Sequence, residues 1–127
     1  MKIGFIGLGN VGGKLASSLL RNKFDLIVRD LDENLTKPFK NLGAKVANSP
    51  KELAKQVDLI ITCLPSPQIC AEVMEEENGI INGLSKNKIW LEMSTTDESE
   101  VKRIGKKIIA KEAIPLDGPV SGGCHRA

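Results

Sequence analysis

The 127-residue sequence predicts an α/β domain built on a doubly wound parallel sheet. Three observations carry that prediction. Short apolar runs alternate with segments of helical period along the whole chain. A glycine cluster, Gly7-Leu8-Gly9-Asn10-Val11-Gly12, falls between the first apolar run and the first helical segment. No internal repeat, low-complexity tract or linker interrupts the alternation, so residues 1–127 read as one domain.

The elements follow in order. Lys2 to Ile6 reads as a buried strand, and Asn10 to Asn22 as a helix with Val11, Leu15 and Leu19 at spacing four. Leu26-Ile27-Val28 is a second strand ending at Arg29-Asp30. Leu35, Phe39 and Leu42 give a short helix closed by Gly43, with Pro38 required in its first turn if the helix is not to kink. Ala44 to Ala47 is a short third strand. Ser49-Pro50-Lys51-Glu52 is a helix start: Ser as N-cap, Pro at the first helical position, Glu at the third. Asp58 to Cys63 is a strongly apolar fourth strand, broken by Pro65 and Pro67, with a helix from about Gln68 to Glu76 after it. Ile89-Trp90-Leu91 is a fifth strand. Asp97 to Lys111 is a helix with Val101, Ile104 and Ile108 on one face, acids first and lysines last. Ala113 to Asp117 is a sixth strand, and the alternation then breaks off on a loop where a further element is expected.

Composition excludes several classes of function. Hydrophobic residues make up 41% and charged residues 27%, ordinary for a globular domain, and the net charge of +2 with scattered Lys and Arg is no nucleic-acid footprint. No apolar run approaches the ~20 residues of a membrane helix, and no signal-peptide region precedes the first strand. Cys63, Cys70 and Cys124 are odd in number and form no C-x-x-C pair, which fits incidental thiols in a reducing cytoplasm better than a disulfide or zinc site.

The glycine cluster carries the chemistry. G-x-G-x-x-G is weak alone, but here it leaves an apolar strand and opens a helix. Gly7 permits the tight turn, Gly9 lets backbone approach a pyrophosphate, and Gly12 lets helix and strand pack closely, with Leu8, Asn10 and Val11 completing a cradle at a helix N-terminus. Asp30 follows Gly12 by 18 residues, near the ~20 at which a carboxylate accepts the adenosine ribose hydroxyls of a dinucleotide. That carboxylate repels a 2′-phosphate and favours NAD. Arg29 beside it is the group that could pair with a 2′-phosphate, so NADP stays as the lesser alternative. The fold class is then Rossmann-type.

Four motifs in register extend this reading. Lys2-Ile3-Gly4-Phe5-Ile6-Gly7-Leu8-Gly9-Asn10-Val11-Gly12, Thr62-Cys63-Leu64-Pro65-Ser66, Glu92-Met93-Ser94-Thr95-Thr96 and Asp117-Gly118-Pro119-Val120-Ser121-Gly122-Gly123 together resemble the β-hydroxyacid dehydrogenase family, whose members include 3-hydroxyisobutyrate dehydrogenases. The resemblance implies that Leu64 and Pro65 line the cofactor cleft, that Thr95 contacts the nicotinamide half, and that Ser121, Gly122 and Gly123 hold a substrate carboxylate. Blander roles stand beside these: a strand terminator at Leu64-Pro65, one of several helix caps at Thr95, and a plain turn at Ser121-Gly122-Gly123. Val11 replaces a more usual Met. His125 and Arg126 depart from the family's small residues: Arg126 reads as solvated, with pairing to an acidic substrate group as the alternative, and His125 as unremarkable rather than a catalytic acid.

The resemblance also implies what these residues lack. In that family the catalytic lysine comes from a helical C-terminal domain that also builds the homo-oligomer. No residue here matches its motif, and Lys106, Lys107 and Lys111 read as a solvated helix face. The expectation is therefore the NAD-binding part of an oxidoreductase for a small 3-hydroxy acid, truncated before the helical domain and inactive alone. It has no nucleic-acid or membrane partner, and lies in the cytoplasm, or in the mitochondrial matrix if a transit peptide was removed. A non-catalytic cofactor-binding or partner-docking module and a 6-phosphogluconate dehydrogenase-like enzyme are the alternatives.

Overall fold

The computed structural model describes residues 1–93 and 97–117. Among the described residues, six strands alternate with five helices: β1 (Lys2–Ile6), α1 (Asn10–Arg21), β2 (Asp25–Arg29), α2 (Glu33–Asn41), β3 (Lys45–Val46), α3 (Pro50–Gln56), β4 (Leu59–Thr62), α4 (Pro67–Glu75), β5 (Ile89–Glu92), α5 (Glu98–Ala110) and β6 (Ile114–Asp117). A 3-10 turn at Ile80–Gly83, without a local marker among its residues, joins α4 to β5. The strands form one sheet in the order β3-β2-β1-β4-β5-β6, and every pair is parallel. The chain winds outward from β1 to β3, returns to β4 beside β1, and winds the other way. This is the doubly wound Rossmann arrangement, with its switch point between β1 and β4.

Both faces of the sheet are covered, so successive strand residues serve two cores. Ile3 and Phe5 of β1, Leu26 and Val28 of β2 and Ile61 of β4 meet Ala16 of α1 and Phe39 of α2 on one face. Ile6, Ile27, Ile60 and Trp90 meet Leu53 of α3, Met74 of α4 and Ile104 and Ile108 of α5 on the other. At the edge, Pro115 lies toward α5 beside Gly105, while Ile114 and Leu116 point the other way and stay 45% and 48% exposed.

Two helices differ from the spacing argument. The buried residues of α1 are Gly12 and Ala16, not the Val11-Leu15-Leu19 row. Small side chains let the helix axis come close to the sheet, which leaves Leu15 and Leu19 half-buried at its flank. In α2, Pro38 is the sixth residue rather than a first-turn one. The helix starts earlier because Asp32 caps it, its side chain accepting the Asn34 N–H at 3.0 Å. Pro38 therefore removes one bond from a nine-residue helix. Burial of Thr36 and Phe39 holds that helix to the sheet, while Leu35 and Leu42 remain exposed. Gly43 ends it at φ +102, as the glycine position implied.

α4 and α5 are tied on the outer surface by Glu75, which accepts from both Arg103 and Lys107; Arg103 also bonds Glu100. The Arg103 hydrogen bond, then that of Lys107, holds the Glu75 carboxyl down at about 2 against an ordinary 4.5. A carboxylate with a depressed folded-state pKa stabilises the fold above its unfolded value and loses that contribution as pH falls through the folded value. Glu75→Gln should accordingly cost about 1 kcal/mol at pH 7, as exposed ion pairs do. The difference from wild type in urea unfolding should shrink below pH 4.5 and vanish near pH 2.

Candidate cofactor site

The C-terminal ends of the strands are held in step beyond the ladders. Gly7 N–H donates to Arg29 O at 3.1 Å, Cys63 N–H to Ile6 O at 3.0 Å, and Met93 N–H to Thr62 O at 2.8 Å. This rim sets the floor of a cavity of about 540 Å³ at the switch point. Gly7, Gly9, Asn10, Val11 and Gly12 line it on one side, and Arg29, Asp30 and Leu31 at the β2 end. Cys63, Leu64 and Pro65 line it after β4, Ile69, Glu72, Val73 and Glu76 along α4, and Met93 after β5. Its volume falls in the range of small-molecule and cofactor sites.

The three glycines do three jobs. Gly7 has φ +101, and a Cβ there would lie 2.1 Å from Cys63 O. A Cβ on Gly12 would lie 1.9 Å from Gly7 O. These two are forced by backbone packed on backbone. Gly9 is different: a Cβ there would meet nothing within 4 Å, and its φ of −68 suits any residue. Nothing inside the described protein asks for glycine at position 9, so the space in front of it is what its missing side chain preserves.

That space lies at the N-terminus of α1. α2, α3, α4 and α5 carry side-chain caps from Asp32, Ser49, Ser66 and Asp97. α1 has Gly9 at its N-cap and no side-chain cap bond. Its leading N–H groups and the positive end of its dipole face the cavity, the arrangement that takes a phosphate.

Asp30 fixes the turn. Its Oδ2 accepts Leu8 N–H at 2.7 Å and its Oδ1 accepts Asp32 N–H at 2.9 Å. An ionised carboxylate has about four lone-pair sites, so two backbone donors leave capacity for hydroxyls of a ligand. Arg29 also borders the cavity, but its Nη1 donates to Ala47 O at 3.2 Å and Asn48 O at 2.8 Å, clasping the β3–α3 connection.

Leu64 and Pro65 line the cavity wall after β4. Thr95 and Ser121, Gly122 and Gly123 lie outside the described residues, and α5 is capped by Asp97. Sequence reasoning missed the other walls. Ile69, Glu72, Val73 and Glu76 recur at helical spacing on α4, which was a usable signal. Cys63 and Met93 are each the first residue past a strand, legible only once register is known. Cys63 is half-buried, and its thiol is pushed up by burial and then by the Glu92 charge, so it is not an activated nucleophile.

The glycine geometry makes a stability prediction. Gly12→Ala should cost about 3 kcal/mol or more, because two backbones must separate to admit the methyl. Gly9→Ala should unfold in urea within about 0.5 kcal/mol of wild type. Equal losses in the two variants would contradict the distinction.

Residues 2–127 match the family described as "NAD binding domain of 6-phosphogluconate dehydrogenase". The mitochondrial 3-hydroxyisobutyrate dehydrogenase of Mus musculus is 40% identical over 125 residues, covering 98% of this chain and 37% of that protein. The Homo sapiens protein of the same name is 36% identical over 125 residues, again 37% of its length. Among solved structures, a 3-hydroxyisobutyrate dehydrogenase from Salmonella typhimurium has a TM-score of 0.90 at 26% identity, over 100% of this chain and 44% of that one. One from Mycobacterium tuberculosis, with L-serine, has a TM-score of 0.88 at 22% identity over 98% of this chain and 42% of that one, a likeness of fold. The chain thus spans well under half the length of the relatives it matches. The motifs read in the sequence, the doubly wound sheet and the match over residues 2–127 agree: this chain belongs to the NAD-binding domain family of 6-phosphogluconate dehydrogenase.

Proposed function

We propose that residues 1–127 act as the cofactor-binding part of an NAD-dependent dehydrogenase for a small 3-hydroxy acid of the 3-hydroxyisobutyrate kind. The observation that carries the reading is the open space before Gly9 at the uncapped N-terminus of α1, with Asp30 at the adjoining strand end. The family supplies the class of cofactor, and the names of the relatives supply the class of acid.

In this reading the amides of the Gly9–Gly12 turn hold the pyrophosphate, with Leu8, Asn10 and Val11 shaping the loop. The free lone pairs of Asp30 accept the adenosine ribose hydroxyls. Arg29, drawn onto Ala47 and Asn48, serves the fold, which supports NAD over NADP. Leu64 and Pro65 wall the cleft toward its second half. Thr95 is assigned to the nicotinamide side, and Ser121, Gly122 and Gly123 to the substrate carboxylate. The nicotinamide supplies the hydride acceptor when bound. The protein residues position, orient and screen from water, and the proton acceptor for the hydroxyl is assigned to the rest of the enzyme, since none of these residues matches the family's catalytic lysine motif. The complete enzyme is proposed to be a homo-oligomer in the cytosol or mitochondrial matrix. Among the described residues no helix is long and apolar enough to cross a membrane.

Calorimetry with this chain tests the reading. NAD⁺ should bind more tightly than NADP⁺, and Gly9→Ala should weaken NAD⁺ by at least about tenfold, or ~1.4 kcal/mol, with the urea midpoint unchanged. No NADH should form from 3-hydroxyisobutyrate with this chain alone. Failure to bind any dinucleotide would sink the cofactor assignment, and turnover would sink the assignment of the proton acceptor elsewhere.

A further inference from the structure

Among the described residues, Glu92 is the one charged side chain with no exposed surface. A carboxylate so placed is costly unless donors surround it. Thr62 Oγ1 donates to its Oε2 at 2.7 Å, and Cys70 Sγ donates to the same oxygen at 3.3 Å. Trp90 Nε1–H donates to Thr62 Oγ1 at 3.0 Å. An indole N–H can only donate, so the Thr62 proton is directed at Glu92. Cys70 is the fourth residue of α4, so the carboxylate also sits by the positive end of that helix. Two side-chain donors thus converge on Oε2.

The position of that charge gives it a use. Thr62 and Glu92 are register partners and the last residues of β4 and β5. Each is followed at once by a residue of the cavity wall, Cys63 and Met93. Glu92 therefore lies one residue behind the wall, and its charge reaches it, since the Cys63 thiol is pushed up partly by Glu92. The cation lining the cavity, Arg29, is at the opposite, β2 end. In a doubly wound domain with phosphate on α1 and ribose at the end of β2, the other half of a dinucleotide crosses to the β4–β5 side. There its ring is a pyridinium cation when oxidised and neutral when reduced.

We propose that Glu92 sets the preference of this site for the oxidised over the reduced dinucleotide, its buried carboxylate stabilising a cationic ring held against Cys63 and Met93. The inference rests on the cofactor reading above. Water is excluded from the carboxylate, so its field is weakly screened, and a charge at such range changes the affinity ratio on the order of tenfold.

The test is the affinity of wild type and Glu92→Gln for NAD⁺, NADH and ADP-ribose, measured by calorimetry. Gln keeps the size and one acceptor oxygen. The ratio of the NADH to the NAD⁺ dissociation constant should fall about tenfold in the variant, with ADP-ribose binding unchanged. A merely structural role would weaken ADP-ribose and both dinucleotides together and leave the ratio alone, which would overturn the proposal. Should the variant not fold, wild type decides: NAD⁺ should bind about tenfold more tightly than benzamide adenine dinucleotide, its uncharged isostere, and equal binding would overturn it. If ADP-ribose does not bind wild type, the cofactor reading fails and takes this inference with it. If ADP-ribose binds and the ratio stays fixed, the inference fails alone.

Discussion

The structure hangs on one close approach: the turn from β1 into α1 is pressed against the end of β4. The Cβ positions of Gly7 and Gly12 would fall 2.1 Å from Cys63 O and 1.9 Å from Gly7 O. No side chain larger than hydrogen fits either place. Because the turn is held so low, α1 begins immediately over the switch point, and its leading N–H groups face the crevice with no side-chain cap over them. Asp30 adds a second restraint by accepting Leu8 N–H. A ligand therefore meets donors already in place, and little conformational entropy remains to be lost on binding.

The two cores explain why this edge is rigid enough to matter. β1 feeds both: Ile3 and Phe5 to the α1–α2 side, Ile6 to the α3–α5 side. β1 and β4 are central, paired on both edges, and their residues are among the most buried of the chain. Local opening is least favourable in such strands. The cavity residues follow directly after them, so the walls inherit the order of the core while remaining open to solvent. Glu92 belongs to the same logic. It occupies a core-facing position of β5, where an aliphatic side chain would pack more cheaply, and a surrounding set of Thr62, Cys70 and Trp90 has been built around it.

Much of this was legible in the sequence because its signals are local. The strand and helix order, the Ser49-Pro50 and Gly43 boundaries and the role of Gly7, Gly9 and Gly12 each depend on a few adjacent residues. The place of Pro38 within α2 and the contact row of α1 were not legible locally, because both depend on neighbours. Asp32 starts α2 early enough to leave Pro38 in the middle, and the sheet selects Gly12 and Ala16 over the larger residues as the contact row. Cys63, Met93 and the α4 wall of the cavity need register and helix placement across the sheet, which no single segment encodes. Glu92 reads in sequence as an ordinary polar strand end, and its burial, against Thr62 of β4 and Cys70 of α4, depends on partners far along the chain.

In the function proposed above, the crevice between β1 and β4 holds the dinucleotide. Amide shifts of the ¹⁵N-labelled protein during NAD⁺ titration test it most directly. The largest changes should fall at Gly9 to Gly12, at Leu31, at Cys63 and Leu64, and at Met93. Changes centred instead on Lys14, Ser17 and Arg21, in the groove between α1 and α2 on the outer surface, would contradict it.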